Sequence, residues 1–427
     1  MERRYLRSVP LPAQHLLTQT GEGEESHLQA EVVYTTFFVP PTNGDCAVMT
    51  SNIKIAIPKE TIPNEQRVSL VPSSISELKK FNCELMLQKG AGLSADYLDE
   101  QYGDIDKYDN VATLYAAAKI ILKVQPPTEK EIALIPAHSI IIGFMAPDRN
   151  LPIVAALRDK KITSFAMELI PRISRAQNMD ALSSQASVAG YKAALIAANL
   201  SKRFFPMLTT AAGTIRPQNV LILGAGVAGL QAIATAKRLG AIVKAYDIRS
   251  AAREQIESLG AKMLDISIQA EGTGGYAREL TAEEKQQQQL LLQNEMAKSE
   301  IIISTAQIPG KPAPIMITKE MLNKMAPGSI IIDLAAETGG NCELTKKNEI
   351  YEYNGVTIYG ITNIPSMVAR DASNLYAKNL VNFLHLLLTD NPELKINWDD
   401  EIFAKSVLTH DGEIKHAPTK ELLTHSP

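Results

Sequence analysis

One stretch of the sequence decides the fold: Asn219-Val220-Leu221-Ile222-Leu223-Gly224-Ala225-Gly226-Val227-Ala228-Gly229. A short aliphatic run enters a glycine turn with the spacing G-x-G-x-x-G, and a helical pattern follows from Leu230 to Leu239. This order predicts a strand, a tight turn and a helix N-terminus. That arrangement is the part of an α/β domain that receives a dinucleotide.

Each glycine of the turn has its own physical reason. Gly224 permits the tight turn, Gly226 lets the backbone approach a pyrophosphate, and Gly229 lets the helix pack closely on the strand. The helix N-terminus adds free N–H groups and a partial positive charge. We therefore expect cofactor contacts from Gly224, Ala225, Gly226, Val227 and Gly229.

The next strand candidate ends in Asp247, at the distance from the glycines where an acid is expected to bind the adenosine ribose diol. A carboxylate there also repels a 2′-phosphate, which favours NAD(H) over NADP(H). Arg249 complicates this interpretation, because an arginine near this position can accept a 2′-phosphate. Since the acid occupies the strand end itself, we predict NAD(H), with contacts from Asp247, Ile248 and Arg249. The alternative is a glycine turn in an α/β domain that binds no nucleotide.

Aliphatic strand candidates alternate with helical patterns along the rest of the chain, which is typical of βαβ units and a mainly parallel sheet. A first set comprises Ile53 to Ile57, Glu84 to Gln88, Ile120 to Val124, Ser139 to Phe144 and Ile162 to Met167. A second set comprises Val220 to Leu223, Ile242 to Tyr246, Ala261 to Leu264, Ile301 to Ser304, Ser329 to Asp333 and Thr357 to Tyr359. The fold class we predict is α/β, with two Rossmann-like doubly wound parallel-sheet domains joined by long helices.

Two long helical patterns, Met179 to Leu200 and Ala372 to Leu388, could cross between the domains as a hinge pair. The chain after the second helix then returns to the first domain. We expect a first domain of residues 51–185 plus 373–427 and an NAD-binding domain of residues 186–372. Residues 1–50 differ in composition from the rest, and we expect a disordered extension with Met49 as a candidate start.

Composition excludes several classes of function. The 427 residues are 45% hydrophobic and 21% charged, and the net charge of −4 provides no basic field for nucleic acid. The longest apolar stretches, such as Ile140 to Met145 and Ile330 to Ala336, fall short of the roughly 20 residues of a membrane-spanning helix. The 3 cysteines show no metal-ligand spacing. We therefore expect a cytoplasmic protein with no metal site and no direct membrane insertion.

Four further stretches resemble one family, that of the alanine dehydrogenases and the NAD(P) transhydrogenase α subunits. They are Ile55 to Glu60 followed by Asn64 to Val68, Pro171 to Gln185, Ile308 to Pro314, and Asp333 to Asn341. The second of these, Pro-Arg-Ile-Ser-Arg-Ala-Gln-Asn-Met-Asp-Ala-Leu-Ser-Ser-Gln, resembles a loop of the transhydrogenase NAD(H)-binding domain I. Together the matches extend over nearly all of the chain from Ile53 onward.

The resemblance also separates the two branches of the family. The amino-acid dehydrogenases supply a lysine and a histidine beside their substrate; Lys123 matches the lysine, but Ile140 to Pro147 contains no histidine. His138 precedes this strand candidate and is expected at its wrong end, and Glu337 stands where the family has a catalytic aspartate. Hydride transfer between two nicotinamides requires no general acid or base. The transhydrogenase branch is therefore favoured, and an alanine dehydrogenase-like, NAD-dependent amino-acid dehydrogenase is the alternative.

The resemblance implies roles for the loop residues. Arg172 and Asp180 would orient the nicotinamide carboxamide and its ribose, with Ser174 and Ser183 as further contacts, and Gln177 would reach toward the NADP(H) side. We take Gln177, Arg172 and Asp180 as the catalytic candidates. Without the resemblance, an ordinary loop ion pair, a solvated loop and a helix cap would explain these residues as well.

The resemblance also assigns residues of the second domain. The polar connection from Gln269 to Glu284 resembles a mobile loop, in which Gly275 and Tyr276 would cover the nucleotide. Gln288 and Gln307 match contact positions of the family, although relatives often have leucine at the second. In the dehydrogenase branch, Arg67 and Lys123 would hold a substrate carboxylate. Here both are interpreted as structural or interdomain charges, and Asp333 as structural.

The resemblance implies a subunit of a proton-translocating, Re/Si-specific NAD(P) transhydrogenase. Hydride would pass reversibly from NADH to NADP+ held on a partner β subunit, while a membrane-spanning partner subunit couples the transfer to proton movement. It further implies a homodimer that is peripheral on the cytoplasmic face of the inner membrane. A non-catalytic NAD-binding regulator remains a second alternative.

Overall fold

The computed structural model describes residues 52–81, 83–265, 281–308, 310–388, 394 and 396–425. The predicted extension of residues 1–50 and the predicted loop contacts Gly275 and Tyr276 lie outside these residues. In the described part of the chain, no helix combines the length and the apolar character that crossing a membrane requires.

The described strands form two main sheets and one hairpin. In chain order they are Ile53–Ile57 (β1), Cys83–Gln88 (β2), Asp106–Tyr108 (β3), Ile120–Leu122 (β4), Ile140–Gly143 (β5), Thr163–Ala166 (β6), Leu208–Thr210 (β7), Gly213–Ile215 (β8), Asn219–Leu223 (β9), Ile242–Tyr246 (β10), Lys262–Met263 (β11), Ile301–Ser304 (β12), Ile330–Asp333 (β13), Ile350–Tyr353 (β14), Val356–Gly360 (β15), Val407–His410 (β16) and Glu413–Ile414 (β17).

The α-helices alternate with these strands. They are Pro72–Leu78 (α1), Val111–Ala117 (α2), Glu129–Leu134 (α3), Leu151–Asp159 (α4), Ala181–Leu200 (α5), Val227–Arg238 (α6), Ala252–Ser258 (α7), Ala282–Met296 (α8), Lys319–Leu322 (α9), Ala369–Leu387 (α10), Glu401–Ser406 (α11) and Ala417–His425 (α12). Short 3₁₀ helices include Ser174–Met179, Ala336–Thr338 and Ile364–Val368.

Both main sheets have the doubly wound order. The first runs β17-β16-β6-β5-β4-β1-β2-β3, and the second runs β11-β10-β9-β12-β13-β15-β14. Strands β1 to β6 are parallel, as are those of the second sheet except β14, whereas β16 and β17 add an antiparallel edge to the first. In each sheet the chain starts in the middle, moves to one side and then crosses to the other, which leaves a crevice at the switch point. The predicted fold class is confirmed.

Every strand candidate of the sequence corresponds to a strand, with ends that agree or differ by at most two residues. The central strands β5, β12 and β13 are buried at every position, which explains why their sequences are continuous aliphatic runs. The sequence patterns do not predict the short strands β3, β14, β16 and β17 or the β7–β8 hairpin. Strands β3, β14 and β17 lie at sheet edges, β16 lies next to an edge, and the β7–β8 hairpin lies outside the main sheets.

The two long helices form as predicted, with shifted starts. Helix α5 begins at Ala181 rather than Met179, because the Asp180 side chain accepts a hydrogen bond from the Ser183 N–H at 2.9 Å and caps the helix. Gly190 is required where α5 crosses α6, since a Cβ atom there would collide with the backbone carbonyl of Ala228. The role of the helices as a hinge pair stays a prediction.

Helix α10 packs on the first sheet. Its buried residues Tyr376, Leu380 and Phe383 share a hydrophobic cluster with Ile55 of β1 and Ile142 of β5. Strand β16, further along the chain, pairs with β6 of the same sheet. The last part of the chain thus packs with the first part, while the exact domain bounds of 185/186 and 372/373 stay a prediction.

Candidate nucleotide-binding cleft

A cleft of about 960 Å³ lies at the carboxyl ends of β9, β10 and β12, next to the switch point of the second sheet. Its other wall is the segment that leads into α5, from Pro171 to Ser183. Parallel α/β sheets bind ligands in this location. The volume is within the usual range of ligand sites, about 300–1,000 Å³.

Most of the predicted contact residues line this cleft. They are Arg172, Gln177, Asp180, Ser183, Gly224, Ala225, Gly226, Val227, Asp247, Ile248, Arg249, Gln288 and Gln307. Ser174, on the Ser174–Met179 turn, and Gly229, on α6, are not among the lining residues. For Gly229 this agrees with its expected packing role, whereas the predicted contact from Ser174 gains no support from the cleft.

The glycine turn has the geometry that its spacing predicts. Gly224 has φ +94°, and a Cβ atom there would lie 2.8 Å from Thr305 Oγ1. A Cβ on Gly229 would collide with the Gly224 carbonyl oxygen. In contrast, a Cβ on Gly226 would meet no atom of the described residues within 4 Å, so the turn faces open space in front of the α6 N-terminus. Within the described part of the chain, no side chain caps that terminus, which leaves N–H groups for an anion such as a pyrophosphate.

Asp247 ties the end of β10 to the glycine turn and to Arg249. Its Oδ2 accepts a hydrogen bond from the Ala225 N–H at 2.7 Å and from Arg249 Nη2 at 3.0 Å. Its Oδ1 accepts from the Arg249 backbone N–H and from Nε, each at 2.9 Å. Burial alone would raise the pKa of Asp247, but the hydrogen bonds from Arg249 and Ala225 outweigh it and hold the pKa below its usual range. Asp247 is therefore a carboxylate at neutral pH.

Asp180 and Ser183 form a compact cap at the opposite wall. In addition to the backbone contact, the Ser183 hydroxyl donates to Asp180 Oδ2 at 2.6 Å. Both residues thus have a structural role, and both also line the cleft. Arg172 and Gln177 are exposed on the same wall, so polar groups that suit an amide face the open side of the cleft.

Two glutamines are held by neighbours in the second domain. Gln288 Nε2 donates to the hydroxyl of Tyr246, the residue before Asp247, at 2.8 Å. Burial raises the pKa of that Tyr246 hydroxyl to about 12. Gln307 Nε2 donates to the Leu334 carbonyl at 3.3 Å. Both glutamines line the cleft.

The predicted site did not include several residues that also line the cleft. Thr305 follows β12 and donates to the Gly224 carbonyl at 3.0 Å, and Lys285 and Lys311 bring positive charge. Lys311 could have been found, because it belongs to the stretch Ile308 to Pro314 that carries the family resemblance. Thr305 has no comparable signal, because its position depends on how β12 pairs with β9.

The two cations that match the dehydrogenase substrate site are buried in ion pairs outside the cleft. Lys123 is completely buried, with Nζ 2.8 Å from Glu131 Oε1 and 3.2 Å from Glu60 Oε2. Burial opposes its charge, yet the two carboxylates hold the pKa of Lys123 above its ordinary value. Arg67 is also buried and donates to both Glu65 oxygens. Neither cation lines the cleft, which agrees with the structural interpretation.

Three other expectations concern the dehydrogenase comparison. His138 precedes β5 and borders a separate pocket with Lys119 and Lys161, at the amino ends of the strands, away from the cleft. Glu337 is half-exposed and lies 3.2 Å from Arg149 Nη1. Asp333 is buried and accepts hydrogen bonds from the N–H groups of Ala335, Asn341 and Cys342, so it is structural.

Comparisons with known proteins agree with this geometry. The family models described as "Alanine dehydrogenase/PNT, N-terminal domain" and "Alanine dehydrogenase/PNT, C-terminal domain" match residues 56–189 and 193–417. A protein of Rhodospirillum rubrum, named as the first part of NAD(P) transhydrogenase subunit alpha, is 46% identical over 376 residues, covering 85% of this chain and 98% of that protein. The protein of the same name from Rickettsia prowazekii is 44% identical over 370 residues, with 85% and 96% covered. The crystal structure of transhydrogenase from Sinorhizobium meliloti superimposes with a TM-score of 0.75 at 40% identity, covering 86% of this chain and 99% of that one.

Proposed function

This chain belongs to the alanine dehydrogenase/PNT family, and from that membership we propose that it is the NAD(H)-binding component of a proton-translocating, Re/Si-specific NAD(P) transhydrogenase. The nucleotide bound in the cleft supplies or receives a hydride at its nicotinamide, and the other reactant is NADP(H) on a partner subunit. The chain's own task is to bind, to orient and to exclude water.

The cleft carries this proposal. It combines a dinucleotide turn with an open wall of amide-binding groups, and none of the described histidines lines it. An amino-acid dehydrogenase needs a proton relay and a cation for the substrate carboxylate, whereas hydride transfer between nicotinamides needs neither. Lys123 and Arg67, which match the dehydrogenase cations, are buried in ion pairs with glutamates. Because both cations are held in buried ion pairs, the transhydrogenase is favoured over the dehydrogenase alternative.

We propose one direction for an NAD(H) molecule in the cleft. The open space at Gly226 and the uncapped start of α6 suit a pyrophosphate, and Asp247 would bind the adenosine ribose. Arg172, Asp180 and Ser183 would orient the nicotinamide end, and Gln177 would reach toward the partner's nucleotide. Further proposed contacts come from Ser174, Ala225, Val227, Ile248, Arg249, Gly275, Tyr276, Gln288 and Gln307.

We propose three protein partners: a second copy of this chain, an NADP(H)-binding transhydrogenase β subunit and a membrane-spanning transhydrogenase subunit. Through these subunits the chain would be peripheral on the cytoplasmic face of the inner membrane. The homodimer is supported by the β7–β8 hairpin and the segment before it. There, Phe204, Met207, Leu208 and Ile215 expose large apolar side chains, a feature of surfaces that meet a partner.

The proposal is tested by single-turnover exchange. The full chain loaded with NADH is mixed with a purified NADP(H)-binding transhydrogenase subunit loaded with NADP+, and oxidation of the bound NADH is followed by its fluorescence. Rapid exchange is expected. Its absence at saturating nucleotide would favour a non-catalytic regulator, and turnover of pyruvate, ammonia and NADH by this chain alone would establish the dehydrogenase alternative.

A further inference from the structure

The carboxylate of Asp247, which is the proposed ribose ligand, is already held by Arg249. Of the four short contacts that the described residues make with it, three come from this arginine: the backbone N–H, Nε and Nη2, at 2.9, 2.9 and 3.0 Å. The fourth is the Ala225 N–H at 2.7 Å. The two side chains therefore form a bidentate pair in which both carboxylate oxygens take part.

This pairing determines what the guanidinium can bind. A planar guanidinium recognises a phosphate with the same fork of N–H groups that it uses for a carboxylate. The edge of Arg249 that carries Nε and Nη2 points at Asp247, so it is not available to a phosphate on the ribose. The Arg249 side chain is nevertheless 30% exposed and lines the cleft, which places the guanidinium within reach of any anion that replaces the carboxylate.

We propose that Asp247 and Arg249 act as one specificity unit, in which the carboxylate selects NAD(H) by repelling a 2′-phosphate and by sequestering Arg249, a latent receptor for that phosphate. The inference rests on the proposed function only in that the cleft binds a dinucleotide with its adenosine end at Asp247. In the sequence, Arg249 conflicts with a preference for NAD(H), because an arginine there can accept a 2′-phosphate. The proposal removes this conflict, since the arginine accepts a 2′-phosphate only after the carboxylate is removed.

The test compares two probes that differ only in the 2′-phosphate, adenosine 2′,5′-bisphosphate and 5′-AMP. Their binding to the full chain is measured by calorimetry for the native protein, Asp247→Asn, Arg249→Met and the double variant. Asp247→Asn should raise the affinity for the bisphosphate relative to 5′-AMP by about tenfold or more, because a charge-assisted bidentate contact becomes possible. The double variant should lose most of this gain. Asp247→Ala should likewise relax the preference for NADH over NADPH.

Two results would contradict the proposal that Asp247 and Arg249 act together. If the double variant keeps the full gain, the effect of Asp247→Asn is only relief of repulsion, and Arg249 is no receptor. If Asp247→Asn shows no gain, the carboxylate does not control the 2′-phosphate. The gain should also fall as salt is raised, since a charge pair carries it.

If the Asp247 variants fail to fold, Arg249→Met alone still tests the proposal. While Asp247 is present, the bisphosphate to 5′-AMP affinity ratio should be the same with and without the guanidinium, within about twofold. A selective loss of bisphosphate binding in Arg249→Met would show that the arginine already receives the phosphate and would end the proposal. These readouts involve no hydride transfer, so a chain that exchanges hydride normally can fail this test, and a chain that lacks exchange can still pass it.

Discussion

The two sheets share one topology and use it differently. In each sheet, the first and fourth strands in chain order lie side by side: β1 and β4 in the first sheet, β9 and β12 in the second. The chain leaves the two strands in opposite directions, which creates a crevice at their carboxyl ends. In the second sheet, Gly224 after β9 and Thr305 after β12 border the open cleft. In the first, Glu60 after β1 and Lys123 after β4 form a buried ion pair at the matching place. The topology supplies a crevice in both cases, and the residues at the strand ends decide whether it is open.

The closed crevice is polar rather than apolar. Lys123 contacts Glu60 and Glu131, and Tyr115 donates from its hydroxyl to Glu131 Oε1 at 3.1 Å. A buried charge is tolerated when partners satisfy it, but removing one partner leaves the others unpaired at a large cost. The first sheet should therefore respond to changes at its strand ends with loss of stability. The second sheet should respond with loss of binding.

The largest effect is expected from Lys123→Met. The substitution leaves Glu60 and Glu131 buried without their cation and should lower the free energy of unfolding by about 3–5 kcal/mol. Urea denaturation measures the loss. Lys119→Met, at an exposed lysine four positions earlier, is the matched control and should change stability by no more than about 0.5 kcal/mol. Equal stability of the two variants would show that the first crevice does not depend on its ion pair.

The neighbouring pair of Arg67 and Glu65 makes stability depend on pH. Burial would raise the pKa of Glu65, but the hydrogen bonds and charge of Arg67 lower it from 4.5 to about 2. A carboxylate with a depressed pKa in the folded state stabilises the fold above its unfolded pKa, and this contribution is lost as the pH falls toward the folded value. We expect a loss on the order of 3 kcal/mol between about pH 4.5 and pH 2.

Chemical unfolding across this pH window checks the expectation. Glu65→Gln should be less stable than the native protein at neutral pH, and its stability should fall less steeply in acid. Glu421→Gln, at an exposed position on α12, should keep the native slope. A native slope in Glu65→Gln would assign the acid sensitivity to other groups.

Two glycine substitutions separate stability from binding in the second sheet. Gly229→Ala places a methyl group against the Gly224 carbonyl and should cost about 1–3 kcal/mol of stability. Gly226→Ala places it in open space, so the Tm should be unchanged while the Kd for NADH rises about tenfold. Thermal unfolding and NADH fluorescence titration measure the two effects. Native affinity in a folded Gly226→Ala variant would move the pyrophosphate away from this turn.

The sequence predicts the second sheet and the glycine turn at the cleft well, because both depend on local patterns. Aliphatic runs mark β9, β12 and β13, and the glycine spacing places the turn. The edge strands β14 and β17 could not be predicted, since short antiparallel edges are fixed by their neighbours rather than by their own sequence. The contact of Gly190 with Ala228 of α6 likewise depends on elements that only the fold brings together. Arg249 and Asp247 are only two residues apart, but the sequence does not show which way the guanidinium turns.

The proposed nicotinamide end is a different case. The segment from Pro171 to Ser183 has no local pattern that indicates a nucleotide site, and its residues can also be explained as a helix cap and a solvated loop. In the structure, Asp180 and Ser183 cap α5 and also line the cleft, so the helix cap is compatible with the proposed nucleotide contacts. The cap holds the Asp180 and Ser183 side chains in fixed positions at the cleft wall. Only the family resemblance indicated that these side chains belong to the site.

The smallest and most specific effect is expected from Gln177→Asn. Gln177 is exposed at the cleft wall, and shortening it by one methylene group should misalign the two reacting nucleotides without removing a main contact to NADH. We expect hydride exchange to slow by about tenfold and the Kd for NADH to change by less than about twofold, because alignment enters the rate more steeply than the affinity. Gln289→Asn, the same change at an exposed cleft residue on α8, is the control and should leave both values unchanged. If Gln177→Asn weakens binding as much as it slows exchange, Gln177 binds NADH on its own side and does not reach the partner.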